Sequence, residues 1–511
     1  MTSKVARSAP TGRSGQRWLR ALAACAAGGV TTLAFAPFDL APLALLGPAV
    51  LFHLWQTGTL RSGFLHGWLY GLGLFGTGVS WLHISIDQFG NVGLPLALVI
   101  TFGFVLGMAL LFGIAGWLSV RLAVGHPAAR LLLVYPALWV LLEWFRGWVL
   151  TGFPWLALGY SQIAWPLDGL APLLGVYGVS WGVAFSAGAL VLVLEESGRR
   201  RWYPLLGAAI LWLASWAAGT LVWTQPSGEP LRVSLVQGNV PQEIKWKPEQ
   251  LLRTLELYLS LTEPHWDSDL IVWPETAVPA LAHRVEESFL TPLARLAREQ
   301  GSEILLGVPV LEPEPDRYYN AMITLGGERA SYYKRHLVPF GEFLPLKGLL
   351  GPLLDWLSIP MSDFSSGDGG KKPLVPLLGH QVGVSICYED AFGEEVVEAL
   401  PEAAFLVNAS NDAWFGDSLA PHQHLQMARM RARETGRYLL RATNTGISAI
   451  IGPRGDLLGR SPSFAPDVLS GEILPLQGMT PYAWIGNAGI VLLALSFLGI
   501  GLWLGRAHES R

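Results

Sequence analysis

What most constrains this chain is where its charges are missing. Of its 74 Lys, Arg, Asp and Glu residues, only 13 fall within the 202 residues from Ala21 to Val222. That stretch is about 6% charged, against about 25% for an ordinary globular domain. The other 309 residues carry the remaining 61 charges, roughly 20%, close to the globular average. With 51% hydrophobic residues and a mean hydropathy of +0.38, the chain as a whole cannot be one water-soluble domain. The pattern calls for two solvents, lipid for the first part and water for most of the second.

A bilayer core about 30 Å thick is crossed by roughly 20 mostly apolar helical residues. Eight runs are candidates: Leu19 to Phe38, Pro42 to Trp55, Phe64 to Ile86, Val92 to Val120, Leu131 to Leu150, Leu170 to Leu194, Trp202 to Trp223 and Ala483 to Leu504. The second is short and interrupted by Pro48. Lys and Arg in short loops mark the cytoplasmic side. Arg61, then Arg121 and Arg130, then Arg199 to Arg201, then Arg506 and Arg511 fall on the side of the basic N-terminus, whereas Asp39, Asp87 and Asp168 fall on the other, with Arg146 the exception. This alternation predicts a cytoplasmic N-terminus over 1–18, seven spans over 19–223, an extracytoplasmic segment over 225–479, an eighth span over 483–504 and a cytoplasmic tail over 505–511. The basic residues before the first run read as an inside anchor, not a cleaved leader, because further apolar runs follow at once.

The outer segment reads as alternating strands and helices, an α/β layered domain. Strand-like runs are Leu231 to Gln237, Leu270 to Trp273, Ile304 to Val310, Ala321 to Leu325, Ser331 to Tyr333, Val382 to Ile386, Phe405 to Asn408, Leu439 to Ala442 and Ser448 to Ile451. Val285 to Gln300 and His424 to Gly436 have helical periodicity. A net charge of −4 and no basic run beyond Arg199 to Arg201 exclude nucleic acid as a partner. Cys25 and Cys387 belong to different solvents and read as free thiols.

Three segments of the outer part carry an ionisable or nucleophilic residue at or just past a strand: IVWPETA with Glu275, SYYKRHLVPFGEF with Lys334 and Glu342, and VSICYED with Cys387 and Glu389. Side chains at strand ends converge on one rim of an α/β domain. A thiol becomes a nucleophile when a base removes its proton, here Glu275, and an ammonium such as Lys334 stabilises the oxyanion that follows. His422 and His424 lack a third ligand at suitable spacing, and this chemistry requires neither metal nor cofactor.

In that order, WPET, Y-x-K-x-H-L-V-P-F-G-E and C-Y-E-D resemble the Glu-Lys-Cys constellation of the nitrilase superfamily, whose domain is an α-β-β-α sandwich. With EWFRGWVLTGFPWLALGYSQ (Glu143 to Gln162), VQGNVPQEIKW (Val236 to Trp246), NASNDAWFG (Asn408 to Gly416) and Pro421 to Ala449, the chain resembles the apolipoprotein N-acyltransferases over nearly its whole length. The resemblance implies a multi-pass protein of the bacterial inner membrane with its catalytic part on the periplasmic side. It implies a fatty acyl chain taken from the sn-1 position of a phospholipid, typically phosphatidylethanolamine, held as a Cys387 thioester and passed to the α-amine of a diacylglyceryl-cysteine on an apolipoprotein. By the same resemblance Glu342, Tyr388 and Glu389 support the triad, and Trp246, Trp414 and Phe415 face substrate.

Other features admit plainer readings. Glu143 and Arg146, three apart on a helix, read equally as a structural pair or a head-group contact. The tryptophans Trp139, Trp144, Trp148, Trp155 and Trp165 read as an interfacial belt. Arg429, Arg433 and Arg437 read as a solvated helix face. The apolar, Pro-broken stretch Phe343 to Met361 reads as an arm dipping into the outer leaflet. A membrane-tethered amidase using water in place of the amine is the competing enzyme, and a transporter or scaffold with an inert outer domain the competing non-enzyme.

Overall fold

The computed structural model describes residues 11–90, 92–122, 125–313, 316–339, 341–343 and 364–509. The expected lipid-dipping arm, apart from Phe343, lies outside the described residues.

Each apolar run contains a helix: α1 (Thr11–Thr32), α2 (Leu43–Gln56), α3 (Leu60–Gly78) with α4 (Leu82–Gly90), α5 (Leu94–Arg121), α6 (Tyr135–Arg146), α7 (Ala171–Glu195), α8 (Trp202–Gly219) and, at the far end, Ala488–Glu509. Four helices are long and apolar enough to cross a membrane, Leu94–Arg121, Pro127–Arg146, Pro166–Glu195 and Ala488–Arg506. A fifth is added if α3 and α4, bent by 58° at their break, count as one. The described residues thus give four or five spans on this criterion where the sequence reading expected eight. α2 is too short and holds Pro48, α1 opens on Arg13, Arg17 and Arg20, and α8 dilutes its aliphatic residues with three Trp, a Tyr and a Pro. α1, α3 and α5 approach closely because glycines line their seams. A Cβ on Gly73 would collide with the carbonyl of Cys25, and one on Gly67 with that of Phe112.

The strands all follow α8: β1 (Thr224–Pro226), β2 (Leu231–Gln237), β3 (Leu270–Val272), β4 (Glu303–Pro313), β5 (Asp316–Leu325), β6 (Ser331–Tyr333), β7 (Leu374–Leu377), β8 (His380–Ile386), β9 (Ala403–Ser410), β10 (Leu439–Thr443), β11 (Ala449–Ile451), β12 (Leu457–Arg460), β13 (Asp467–Ile473) and β14 (Leu476–Gly478). They form two six-stranded sheets, ordered β13-β2-β3-β4-β5-β6 and β12-β11-β10-β9-β8-β7, with β1 and β14 as a separate pair. β2, β3 and β4 run parallel, as do β8, β9 and β10. These central strands read as unbroken apolar runs because both of their faces are covered. Val233, Leu270, Val272 and Leu305 of one sheet pack against Val384, Ile386, Phe405 and Val407 of the other. The helices Leu251–Thr262 and Thr291–Gln300 cover the first sheet, and Ala420–Thr435 covers the second, which completes an α-β-β-α stack.

The Ala420–Thr435 helix is also the joint to the apolar helices of the first part. Leu425, Ala428 and Ala432 face the sheet, while Met427 and Met430 join the apolar core of the other helices. Across this joint, Gln423 accepts from the indoles of Trp81 (3.2 Å) and Trp155 (3.1 Å), and Glu434 accepts from the backbone of Val176 (2.7 Å). A helix packed on both sides has no solvated face, which corrects the expectation for its arginines. Arg433 is buried against Asp168 (3.2 Å), Arg437 donates to the carbonyls of Ala403 (2.6 Å) and Gly478 (2.7 Å), and Arg429 donates to that of Gly455 (2.8 Å). Glu143 and Arg146 are both buried, and each makes its hydrogen bonds to other groups. The carboxylate accepts from Trp139 (2.8 Å) and the Leu158 amide (2.9 Å), while the guanidinium donates to the carbonyls of Phe153 (2.6 Å) and Trp155 (2.5 Å). Trp139 and Trp155 are buried too, so of the tryptophans read as a belt only Trp148 and Trp165 are exposed, with Trp144 between.

Candidate active site

Three strand ends meet on the rim that the two sheets share. Glu275 follows β3 by two residues beyond Trp273, Lys334 follows β6 directly, and Cys387 follows β8 directly. Lys334 is held in register by its amide, which donates to the carbonyl of Asn320 on the neighbouring strand (2.8 Å). Its ammonium, 1% exposed, lies 2.8 Å from Glu342 Oε1 and 3.5 Å from Glu275 Oε1. Asn320 Nδ2 donates to both carboxylates, at 2.7 Å to Glu275 and 3.2 Å to Glu342. Glu275 therefore has one oxygen fixed by Asn320 and Lys334, while Oε2 is buried with no partner.

Cys387 is 7% exposed and has a φ of +52°, a left-handed conformation that costs a non-glycine residue free energy and turns its side chain sharply off the strand axis. Glu275 and Lys334 both act electrostatically on its thiol. Burial pushes the thiol well above its usual range and the Glu275 carboxylate adds to this, while the Lys334 ammonium opposes both. At neutral pH the resting thiol keeps its proton and needs a base to remove it. Burial alone would discharge Lys334, but the carboxylates of Glu342 and then Glu275 hold it above its ordinary value, so it stays a cation.

The predicted supporting residues divide. Glu342 belongs to the cluster, and Glu389 is a latch beneath it. Glu389 is buried, and accepts from the amides of Ile386 (2.6 Å), Arg335 (2.7 Å) and His336 (3.1 Å) and from the Tyr332 hydroxyl (2.9 Å), tying the Cys387 turn to the loop after Lys334. Tyr388 points away from the triad. Its hydroxyl donates to the Gly152 carbonyl (2.8 Å) and its ring stacks on Trp155. Trp414 and Phe415 pack toward the apolar helices, against Phe89 and Trp81 respectively. Trp246 is half-buried, next to Lys245.

Sequence reasoning missed two groups. Lys245 is buried and donates to the Glu275 carbonyl (3.3 Å) and the Thr276 hydroxyl (2.7 Å); burial lowers its ammonium to about 8 although Glu275 opposes this. Behind Cys387 lies a tetrad of buried charges. Arg441 bridges Asp390 (3.1 Å) and Asp412 (2.9 Å), and His424 bridges the same pair (2.7 and 3.0 Å). His424 Nε2 and Asn408 Nδ2 both reach the Cys387 carbonyl, at 3.3 and 3.2 Å. The usable signal was the density of polar residues in NASNDAWFG and CYED. For Asn320 there was none short of strand register.

Two family models divide the chain: the apolipoprotein N-acyltransferase N-terminal domain over residues 27–189, and carbon-nitrogen hydrolase over 232–481. The chain is 48% identical to the apolipoprotein N-acyltransferase of Methylococcus capsulatus over 495 residues, 96% of this chain and 98% of that one. It is 45% identical to that of Azotobacter vinelandii over 503 residues, 96% of each, and 43% identical to that of Pseudomonas aeruginosa over 490 residues, 93% of this chain and 95% of that one. Among solved structures, this chain is similar to Saccharomyces cerevisiae Nit3, a member of branch 10 of the nitrilase superfamily, at 21% identity and a TM-score of 0.37, covering 49% of this chain and 93% of that one.

Proposed function

The chain belongs to the apolipoprotein N-acyltransferase family, and from that premise we propose that it acylates the N-terminal amine of lipoproteins through a thioester on Cys387. The observation that carries this reading is the divided Glu275 carboxylate, one oxygen fixed by Asn320 and Lys334 and the other without a partner, beside a thiol that burial keeps protonated.

The free oxygen of Glu275 takes the Cys387 proton as sulfur attacks the sn-1 ester carbonyl of a phospholipid. Lys334 stabilises the oxyanion that forms, with Glu342 keeping it charged. The C–O bond breaks, the departing oxygen receives the proton from Glu275, and a lysophospholipid leaves. The α-amine of a diacylglyceryl-cysteine then attacks the thioester carbonyl and gives its proton to Glu275. The C–S bond breaks, sulfur recovers the proton, and an amide remains. Because the same carboxylate gives and takes protons in each half, one base serves both.

Family membership over the membrane part as well as the hydrolase part favours this over the tethered amidase, which needs no such helices. The eight-span topology, with Gln225 to Met479 outside and both termini inside, belongs to the same reading, since it brings Cys387 to the leaflet where lipoproteins are anchored. Mass spectrometry of the Cys387 peptide after exposure to phosphatidylethanolamine tests it. One fatty acyl increment is expected, absent in Cys387→Ala and formed about 10² to 10⁴ times more slowly in Glu275→Gln. An unmodified wild-type peptide, or N-acylation persisting in Cys387→Ala, overturns the reading.

A further inference from the structure

Lys245 takes no part in the proton transfers above, yet its contacts fall on the turn that carries the base. It closes the short helix Gln242–Lys245, is 1% exposed, and donates to the Glu275 carbonyl (3.3 Å) and the Thr276 hydroxyl (2.7 Å). Among the described residues both of its acceptors are neutral oxygens, whereas Lys334 lies against two carboxylates. An ammonium buried with no carboxylate in contact costs folding free energy, and an apolar side chain of equal length would fill the same space without that cost. What the cation contributes is local to Glu275.

The turn from Pro274 to Thr276 needs holding. Thr276 has a φ of +48°, a left-handed conformation that is costly for a β-branched residue. Gly307 of β4 packs so closely on this turn that a Cβ there would meet the Pro274 carbonyl, the Thr276 amide and the Glu275 Cα. Lys245 adds bonds to two successive residues of the turn, and the segment that delivers it is tied to the other sheet. The Asn239 amide donates to the Asn444 carbonyl (2.8 Å), and the Asn444 side chain bonds both the amide and the carbonyl of Val240 (3.0 and 2.8 Å). Asn411 Nδ2 donates to Gln242 (2.8 Å). Asn411 and Asn444 directly follow β9 and β10, in the sheet whose strand β8 ends at Cys387.

We propose that Lys245 is a positioning residue for the acyl transfer: it pins the Glu275 turn to the sheet that carries Cys387 and, as a cation, favours the carboxylate that takes the thiol proton. The coupling is mutual, since the Glu275 carboxylate favours the charged form of Lys245 against its burial. Lys334, Glu342 and Cys387 also face that carboxylate, and none of them is altered by a change at position 245. The proposal rests on the thioester reading and deepens it, because a base fixed through its backbone keeps its free oxygen in place through both halves of the reaction.

The test uses the full chain in detergent, with dioleoyl phosphatidylethanolamine as donor, and follows acylation of Cys387 by mass. Lys245→Met keeps the length of the side chain and removes the ammonium. It should lower the maximal rate about ten- to a hundredfold and leave the half-saturating donor concentration within about twofold. The acidic limb of its pH profile should move to higher pH, because losing a neighbouring cation favours the protonated carboxyl. Added to Glu275→Gln, the substitution should slow acylation no further, since its effect runs through that carboxylate; a purely structural role would cost the same factor in both backgrounds. Thr276→Val removes the shorter contact, keeps the cation, and should slow the reaction about tenfold, again only with Glu275 present, which decides the matter should Lys245→Met not fold. An unchanged maximal rate, an equal loss in both backgrounds or an unmoved acidic limb overturns the assignment. Failure of wild-type Cys387 to be acylated, or an unslowed Glu275→Gln, instead overturns the thioester reading, and this assignment with it.

Discussion

Cys387 is held through its backbone as well as faced at its sulfur. Its carbonyl is gripped by His424 and Asn408, and its left-handed φ is kept in place by the Glu389 latch on the adjoining turn. His424 is the titratable member of this grip. Burial and the Arg441 cation favour the neutral ring, but the Asp390 and Asp412 carboxylates overcome them and raise it to about 9. A pKa raised above the unfolded value of about 6.5 gives stability that is complete below pH 6.5 and is lost as pH rises through 9. The melting temperature should therefore fall between those values, and His424→Gln should lower it at pH 6 while flattening the fall; a slope unchanged by the substitution would remove His424 as its source. Asp412, lowered to about 2 by Arg441 and His424 against its burial, contributes in the opposite direction, losing its share only as pH drops toward 2. None of this was legible from PHQH, where two histidines without a third ligand at suitable spacing gave no more than a weak suggestion of a metal. Glu275, Lys334 and Cys387 stood out because each follows a strand.

At the scale of elements, the strands were readable and the helix seams were not. Nine strand-like runs correspond to β2–β6 and β8–β11, since central strands of a two-faced sheet are apolar throughout. The edge strands β7 (LVPL), β12 (LLGR) and β13 (DVLSGEI) are short or interrupted by Pro, Gly or charged residues and gave no such signal. The seam of α1 with α3 depends on glycine. A side chain at Gly73 would displace the carbonyl of Cys25, whereas Gly76, on the same helix, faces open space. Gly73→Val should lower thermal stability in detergent by several degrees, while Gly76→Ala should leave it unchanged or raise it, because alanine favours the helix by about 1 kcal/mol. Equal effects would mean that the seam is not close-packed. The Ala420–Thr435 helix shows the reverse case, in which a polar sequence became one of the most buried elements because it is packed from both sides.

For the whole molecule, the distribution of charge predicts the division of solvents, and the positions of Lys and Arg predict the sidedness. A single cysteine introduced at Glu328, exposed on the strand-rich part, into a background without Cys25 and Cys387 should react with an impermeant maleimide in intact spheroplasts. One at Ser197, exposed beside the Arg199–Arg201 cluster, should react only after lysis. The opposite pattern would invert the topology and bring Cys387 to the wrong leaflet. By itself the sequence marked the candidate residues for chemistry and the expected solvent of each part, because strand ends and missing charges are local properties of the chain. Only the tertiary structure decided that Asn320 divides the Glu275 carboxylate, that a buried tetrad grips the Cys387 carbonyl, and that Tyr388, Trp414 and Phe415 serve the joint between the two parts. Those contacts join residues up to several hundred positions apart, and such proximity is created by packing, for which a linear pattern carries no local mark.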